Sequence, residues 1–195
     1  MGFSHMIPGY DEVEKAIEKA YAKDVLIFAA ASNGGGNNGR AYPAREKLVF
    51  CIHSTDARGN RSKFSPTAED RKQNFATIGE AVESLWRTSS GESDEKAVRV
   101  KSGTSFATPI AASIAAFLLL YARVNLMIEP SIAKRLKKNQ HMERLLVTLS
   151  EKSVTSPGRD GYQYISLSRH PDNFFGREAE AINYDFRQIA QSRER

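Results

Sequence analysis

The chain has 195 residues, of which 41% are hydrophobic and 26% charged, and its formal net charge is +5. That is an ordinary globular composition, long enough for one good core with an extension and short for two full domains. The single cysteine, Cys51, excludes an internal disulfide, so nothing in the fold depends on an oxidising compartment.

The opening MGFSHMIPGYDEVEK has no basic start followed by an apolar run, so no secretory leader is expected, and Met6 stands where a myristoylation motif needs Ser or Thr. In DEVEKAIEKAYAKD, Val13, Ala16, Ile17, Ala20 and Tyr21 fall at helical spacing, with Asp11 as N-cap or first-turn acid. VLIFAAAS is short and nearly all apolar, as suits a strand buried on both faces of a parallel sheet. KLVFCIHST predicts a second such strand, ended by the turn DARGN, and EKAVRVKSG is a third candidate. GTSFATPIAASIAAFLLLYAR is apolar all round and predicts about five turns of interior helix. Its apolar core, PIAASIAAFLLLYA, is too short to span a bilayer, and no membrane partner is expected.

From Asn125 the character changes. Ile132, Leu136, Leu145, Leu146 and Leu149 mark an amphipathic helix, GYQYISL a strand, and REAEAINYDFRQIAQ a final helix. The basic surplus lies here: from Tyr121 onward there are 13 Lys/Arg against 9 Asp/Glu, concentrated in KRLKKNQHMER. Without interleaved aromatics this reads as a solvated helix face, and no nucleic-acid partner is expected. The pattern as a whole is α/β with a helical C-terminal extension.

Gly34, Gly36 and Gly39 spell G-x-G-x-x-G directly after the first strand. A dinucleotide fingerprint needs a helix opening at once from the glycine turn, to hold the pyrophosphate. Here RAYPAREKLVF follows, Pro43 disfavours helix at Tyr42, and the next strand leaves no room for a crossover helix. No Gly-Lys-[Ser/Thr] follows either, so a Walker loop is excluded. Asn33, just ahead of these glycines, is either a plain turn residue or a side-chain amide presented at a strand end.

SGTSFATPIAA places Ser105 in a glycine-containing turn that opens the long helix. Unpaired N–H groups and the helix dipole at such a start favour an oxyanion, so Ser105 is placed as an acyl-transfer nucleophile, and an amide such as Asn33 would complete the hole. The alternative is that Thr104 or Ser105 only caps a core helix.

GTSFATP resembles the serine motif G-T-S-x-A-[TS]-P of the subtilisin-like serine proteases, and AAASNGG resembles their oxyanion motif A-A-G-N. The resemblance runs from Met1 to about Arg123. It implies a subtilisin-like parallel sheet with flanking helices, present as a partial domain over 1–123, followed by a mainly helical extension over 124–195. It implies a serine endopeptidase acting on polypeptide substrates; no cofactor is expected, and the sequence shows no metal ligands that can be matched to positions. By the same resemblance Ser105 is the nucleophile, Asn33 and the Ser105 N–H are the oxyanion donors, and Thr104 supports the hole. Gly2 and Phe3 would pair with substrate backbone, and Ala30, Ala31 and Ser32 would line the pocket for the residue before the scissile bond. This sequence departs from the family pattern at Ser32 and Ser113, where glycines are usual, and at Ile110, where histidine is usual.

The family's general base and its orienting acid stand upstream of the serine, in H-G-T and D-[ST]-G motifs. Neither motif is present; His5 and His53 are the histidines before Ser105, and His53 reads as a core or rim residue. Cys51 and His53 share a strand face, but two ligands do not make a metal site. The expectation is therefore the C-terminal half of a catalytic domain, completed by an upstream segment, with the face of the central helix exposed. The competing expectation is a catalytically silent homologue whose extension binds a partner.

Overall fold

The computed structural model describes residues 10–36, 38–70, 73–85, 98–126, 130–151, 159–168, 171 and 173–193. Helix α1 spans Tyr10–Tyr21, with Asp11 and Glu12 in its first turn and Lys19 in its last, the polarity that its dipole favours. Three parallel strands follow: β1 (Phe28–Ala30), β2 (Phe50–Thr55) and β3 (Phe75–Ile78). A late strand, β6 (Gln163–Tyr164), pairs in parallel with β3 and completes the sheet order β1-β2-β3-β6.

The register Phe28↔Phe50 and Ala29↔Cys51 sends alternate side chains to opposite faces. On one face Ala29, Ala31 and Cys51 pack with Ile17 of α1 and with Tyr42. On the other, Phe50, Ile52 and Phe75 meet the long helix α2 (Thr104–Asn125). All six residues of β2 are buried, the apolar Phe50, Cys51 and Ile52 together with the polar His53, Ser54 and Thr55.

Helix α2 turns Thr104, Ala107, Ala111, Ile114, Ala115, Leu118 and Ala122 inward. The opposite face is open: Phe117 is 40% exposed, Leu120 56% and Val124 64%. The helix expected to run through the interior is thus half-covered. At 22 residues it is also long and apolar enough to cross a membrane by length and composition, although its inner face lies on the sheet.

The single amphipathic helix expected beyond Asn125 is instead two, α3 (Pro130–Arg135) and α4 (Asn139–Glu151), parted by a turn. No apolar residue lies between Leu136 and Met142, so no continuous stripe holds one helix together there. Helix α5 (Ala179–Gln191) packs Ile182, Phe186 and Ala190 into the same core as Leu145, Leu146 and α2. Tyr121 of α2 donates its hydroxyl to Asn183 at 3.1 Å, and Arg177 pairs with Asp185 at 2.8 Å.

EKAVRVKSG forms a strand, β5 (Val98–Lys101), but outside the main sheet. It pairs antiparallel with β4 (Val82–Leu85) as an exposed ribbon that leads straight into α2.

Candidate active site

The chain leaves β1 through Ala31, whose N–H donates to Ile52 O at 2.9 Å. Ala30 and Ala31 are buried and Ser32 is half-buried. Ser32 has φ 153, a region that favours glycine, so this departure from the family pattern falls on a backbone where glycine would be at ease. Asn33 follows, exposed at the strand end.

The glycine loop beyond it is spent on internal bonds. Gly34 N–H donates to Ser32 Oγ at 3.1 Å and Gly35 N–H to Phe64 O at 2.9 Å. Asn38 Nδ2 reaches Gly34 O at 2.6 Å, and the Thr67 hydroxyl reaches Gly36 O at 2.7 Å. Its described N–H groups are not gathered to cradle a phosphate, and no helix separates it from β2.

Asn33 meets the start of α2. Its Oδ1 accepts the Thr104 N–H at 2.8 Å and the Thr104 hydroxyl at 3.0 Å. The same hydroxyl lies 3.2 Å from Ser32 O. A backbone N–H can only donate, so Oδ1 faces Thr104 and Nδ2 is left to donate elsewhere. Gly103, at the N-cap, supplies no side-chain cap, so Asn33 caps α2 from a different element.

Ser105 stands one residue on, exposed, in the first turn of α2. Among the described residues no acceptor takes its N–H, and no acid in that turn offsets the positive end of the helix dipole. Pro109 lacks an N–H, so the Ser105 carbonyl has no helical partner either. The structure therefore brings Ser105, Asn33 and Thr104 together. Among the described residues neither Asn33 Nδ2 nor the Ser105 N–H has an acceptor, and two such donors at the helix start are suited to a developing oxyanion. Gly2 and Phe3 lie outside the described residues.

No described histidine is hydrogen-bonded to Ser105. His53, in β2, is fully buried, its ring 3.6 Å from Cys51 Sγ and 3.3 Å from Ser65 Oγ, and edge-on to Tyr162. Burial first, and then the Arg40 guanidinium, push its pKa down to about 3, against the opposing pull of Glu69. It is a neutral core residue. His141 is buried in α4, 3.2 Å from Ser192 O. Among the described residues no cluster of three or more His, Cys, Asp or Glu could hold a metal ion.

One contributor has no sequence signal beyond a glycine after an apolar run. The Gly103 N–H donates to Gly79 O at 2.8 Å, at the end of β3, and Ala81 N–H donates to Ser102 Oγ at 3.0 Å.

A family model described as Subtilase family matches residues 4–163. The chain is 32% identical over 110 residues to the subtilisin-like protease het-Q2 of Podospora anserina, covering 54% of this chain and 28% of that protein. It is 29% identical over 114 residues to subtilisin DY of Bacillus licheniformis (57% and 38%). It is 32% identical over 115 residues to thermitase of Thermoactinomyces vulgaris (59% and 38%). The match thus spans well under half the length of these curated relatives. Among solved structures, the prenylagaramide maturation protease PagA superposes with a TM-score of 0.61 at 21% identity, over 98% of this chain and 59% of that one. The protease domain of PatA, in a mutant form, gives 0.59 at 23% identity, over 85% and 53%. Both show the subtilisin-like α/β fold.

Proposed function

The chain belongs to the subtilase family, and from that premise we propose that it is the nucleophile-bearing part of a serine endopeptidase with Ser105 at its centre. The observation that carries this reading is the hold of Thr104 on Asn33 Oδ1, which leaves Nδ2 to donate elsewhere at the start of the helix that bears Ser105.

In the proposed reaction Ser105 Oγ attacks the carbonyl carbon of a peptide bond. The Oγ–C bond forms as the C=O π pair moves onto oxygen, and the oxyanion is met by Asn33 Nδ2–H and the Ser105 N–H. The serine proton passes to a neutral imidazole, which returns it to the leaving amine as the C–N bond breaks. Water then hydrolyses the acyl-serine by the same steps. That imidazole, and the acid orienting it, come from outside the described residues, in an upstream segment of the same catalytic domain. Polypeptide backbone is bound at Gly2 and Phe3, and the strand end Ala30–Ser32 walls the site of the residue before the scissile bond.

A fluorophosphonate probe tests this reading. In the catalytic domain completed by the proposed upstream segment, Ser105 is expected to be labelled and Ser105→Ala not, and a folded, completed domain that takes up no probe would refute the enzyme reading. A second reading, a silent homologue that binds a partner, is favoured by the open apolar face at Phe117, Leu120 and Val124.

A further inference from the structure

We propose that Gly79 is a positioning residue for Ser105: the end of β3 is a backbone seat on which the nucleophile turn rests, and only glycine leaves room for it. The catalytic consequence rests on the peptidase reading above; the seat itself does not.

Gly79 is buried, and its φ lies outside the left-handed region, so conformation does not require glycine there. Space does. A Cβ at Gly79 would lie 2.5 Å from Ser54 Oγ, 2.9 Å from Gly103 O and 3.0 Å from Ala107 Cβ. Ser54 is fully buried and its Oγ accepts the Ser62 hydroxyl at 2.8 Å, so it is not free to swing aside. Ala107 is fully buried against the sheet.

Gly103 O is main chain, and it accepts the N–H of Phe106 at 3.0 Å and of Ala107 at 3.4 Å. Those bonds close the first turn of α2. A methyl group at Gly79 would therefore lift the turn that carries Ser105, and with it the Thr104 N–H that orients Asn33.

The seat is tied down from below and from the side. Gly79 and Glu80 donate their N–H groups to Thr55 O at 2.9 and 3.2 Å, while Gly79 O takes the Gly103 N–H at 2.8 Å. Ala81 N–H bonds Ser102 Oγ at 3.0 Å, bracing the residue just before Gly103. A continuous path of main-chain bonds thus runs from the end of β2, through Gly79, to the turn holding the nucleophile.

The test is amide hydrogen exchange in Gly79→Ala, read at Gly103 and Thr104 and compared with Leu145 and Leu146 in α4. The expected result is exchange about tenfold faster at Gly103 and Thr104 with α4 unchanged. The maximal rate of fluorophosphonate labelling at Ser105 should fall while the half-saturating probe concentration stays the same. Unchanged exchange at Gly103 and Thr104, or equal acceleration throughout α4, would overturn the seat. Should Gly79→Ala not fold, Ser102→Ala removes only the lateral brace. Exchange at Ala81 and Gly103 should then rise about threefold, and no change there would count against the proposal. Loss of protection in a chain whose parent never labels would support the seat and tell against the peptidase reading alone.

Discussion

Thr104 holds Asn33 with both of its donors, the backbone N–H at 2.8 Å and the hydroxyl at 3.0 Å, on the single acceptor Oδ1. The orientation of the amide is fixed by chemistry, because its nitrogen cannot accept either bond. Thr104→Val keeps the buried branched shape but deletes the hydroxyl. Labelling at Ser105 is expected to slow about tenfold, with Thr104→Ser restoring most of it. Equal rates for Val and Thr would show that the main-chain bond alone suffices.

Asn33 caps α2 through Oδ1, and in the proposed reaction its Nδ2 has the separable duty of oxyanion donor. Asn33→Asp keeps an acceptor at the helix start and adds a charge that the dipole favours, so its stability should match or exceed the parent. Asn33→Ala should lose about 1 kcal/mol in chemical denaturation. Both remove the donor. Subtilisin itself loses about 10²- to 10³-fold in turnover when its oxyanion amide is removed, and that known range is adopted here for both variants.

Ser32 holds φ 153 at the site entrance. Ser32→Gly relieves that conformation at the cost of the exposed bond from Gly34 N–H to Ser32 Oγ. A net gain of about 1 kcal/mol is expected in urea denaturation. A loss of stability would mean that the side-chain bond outweighs the backbone strain.

Stability should also fall in acid through His53. Its folded pKa is depressed to about 3 from 6.5, so the neutral form is the one the fold holds. The unfolded chain takes up a proton as pH drops below about 6.5, while the folded chain resists until about 3. Stability from this group is therefore complete above that window and drains away as pH falls through it. The expected loss is about 2 kcal/mol between pH 7 and pH 5. Denaturation midpoints at both pH values check this, and His53→Gln should flatten the difference.

The two segments that meet at the candidate site, AAASNGG and GTSFATP, are both legible as motifs. GTSFATP announces a nucleophile turn because the glycine, the hydroxyl residues and the Ala-rich run each have a separate physical job, and the structure joins that turn to Asn33. Strand β3 was not foreseen. FATI is four residues long, and it is followed at once by Gly79 and by Ala81 at φ 52, so local pattern alone gave it no advantage over a loop. Its place is fixed by long-range pairing, Ile52↔Phe75 on one side and Phe75↔Gln163 on the other. Strand β4 was hidden for the same reason, since Glu83, Ser84 and Leu85 are exposed and Val82 only half-buried, and its place is set by pairing with β5. The break between α3 and α4 follows from a gap in apolar residues that a list of leucines conceals.

The most direct measurement is a crystal structure of the catalytic domain, this chain together with its proposed upstream segment, with a peptide boronic acid. The account predicts a covalent bond from Ser105 Oγ to boron, with one boronate oxygen within hydrogen-bonding distance of both Asn33 Nδ2 and the Ser105 N–H. An adduct whose oxygens all point away from Asn33, or an ordered Ser105 left unmodified at saturating inhibitor, would contradict it.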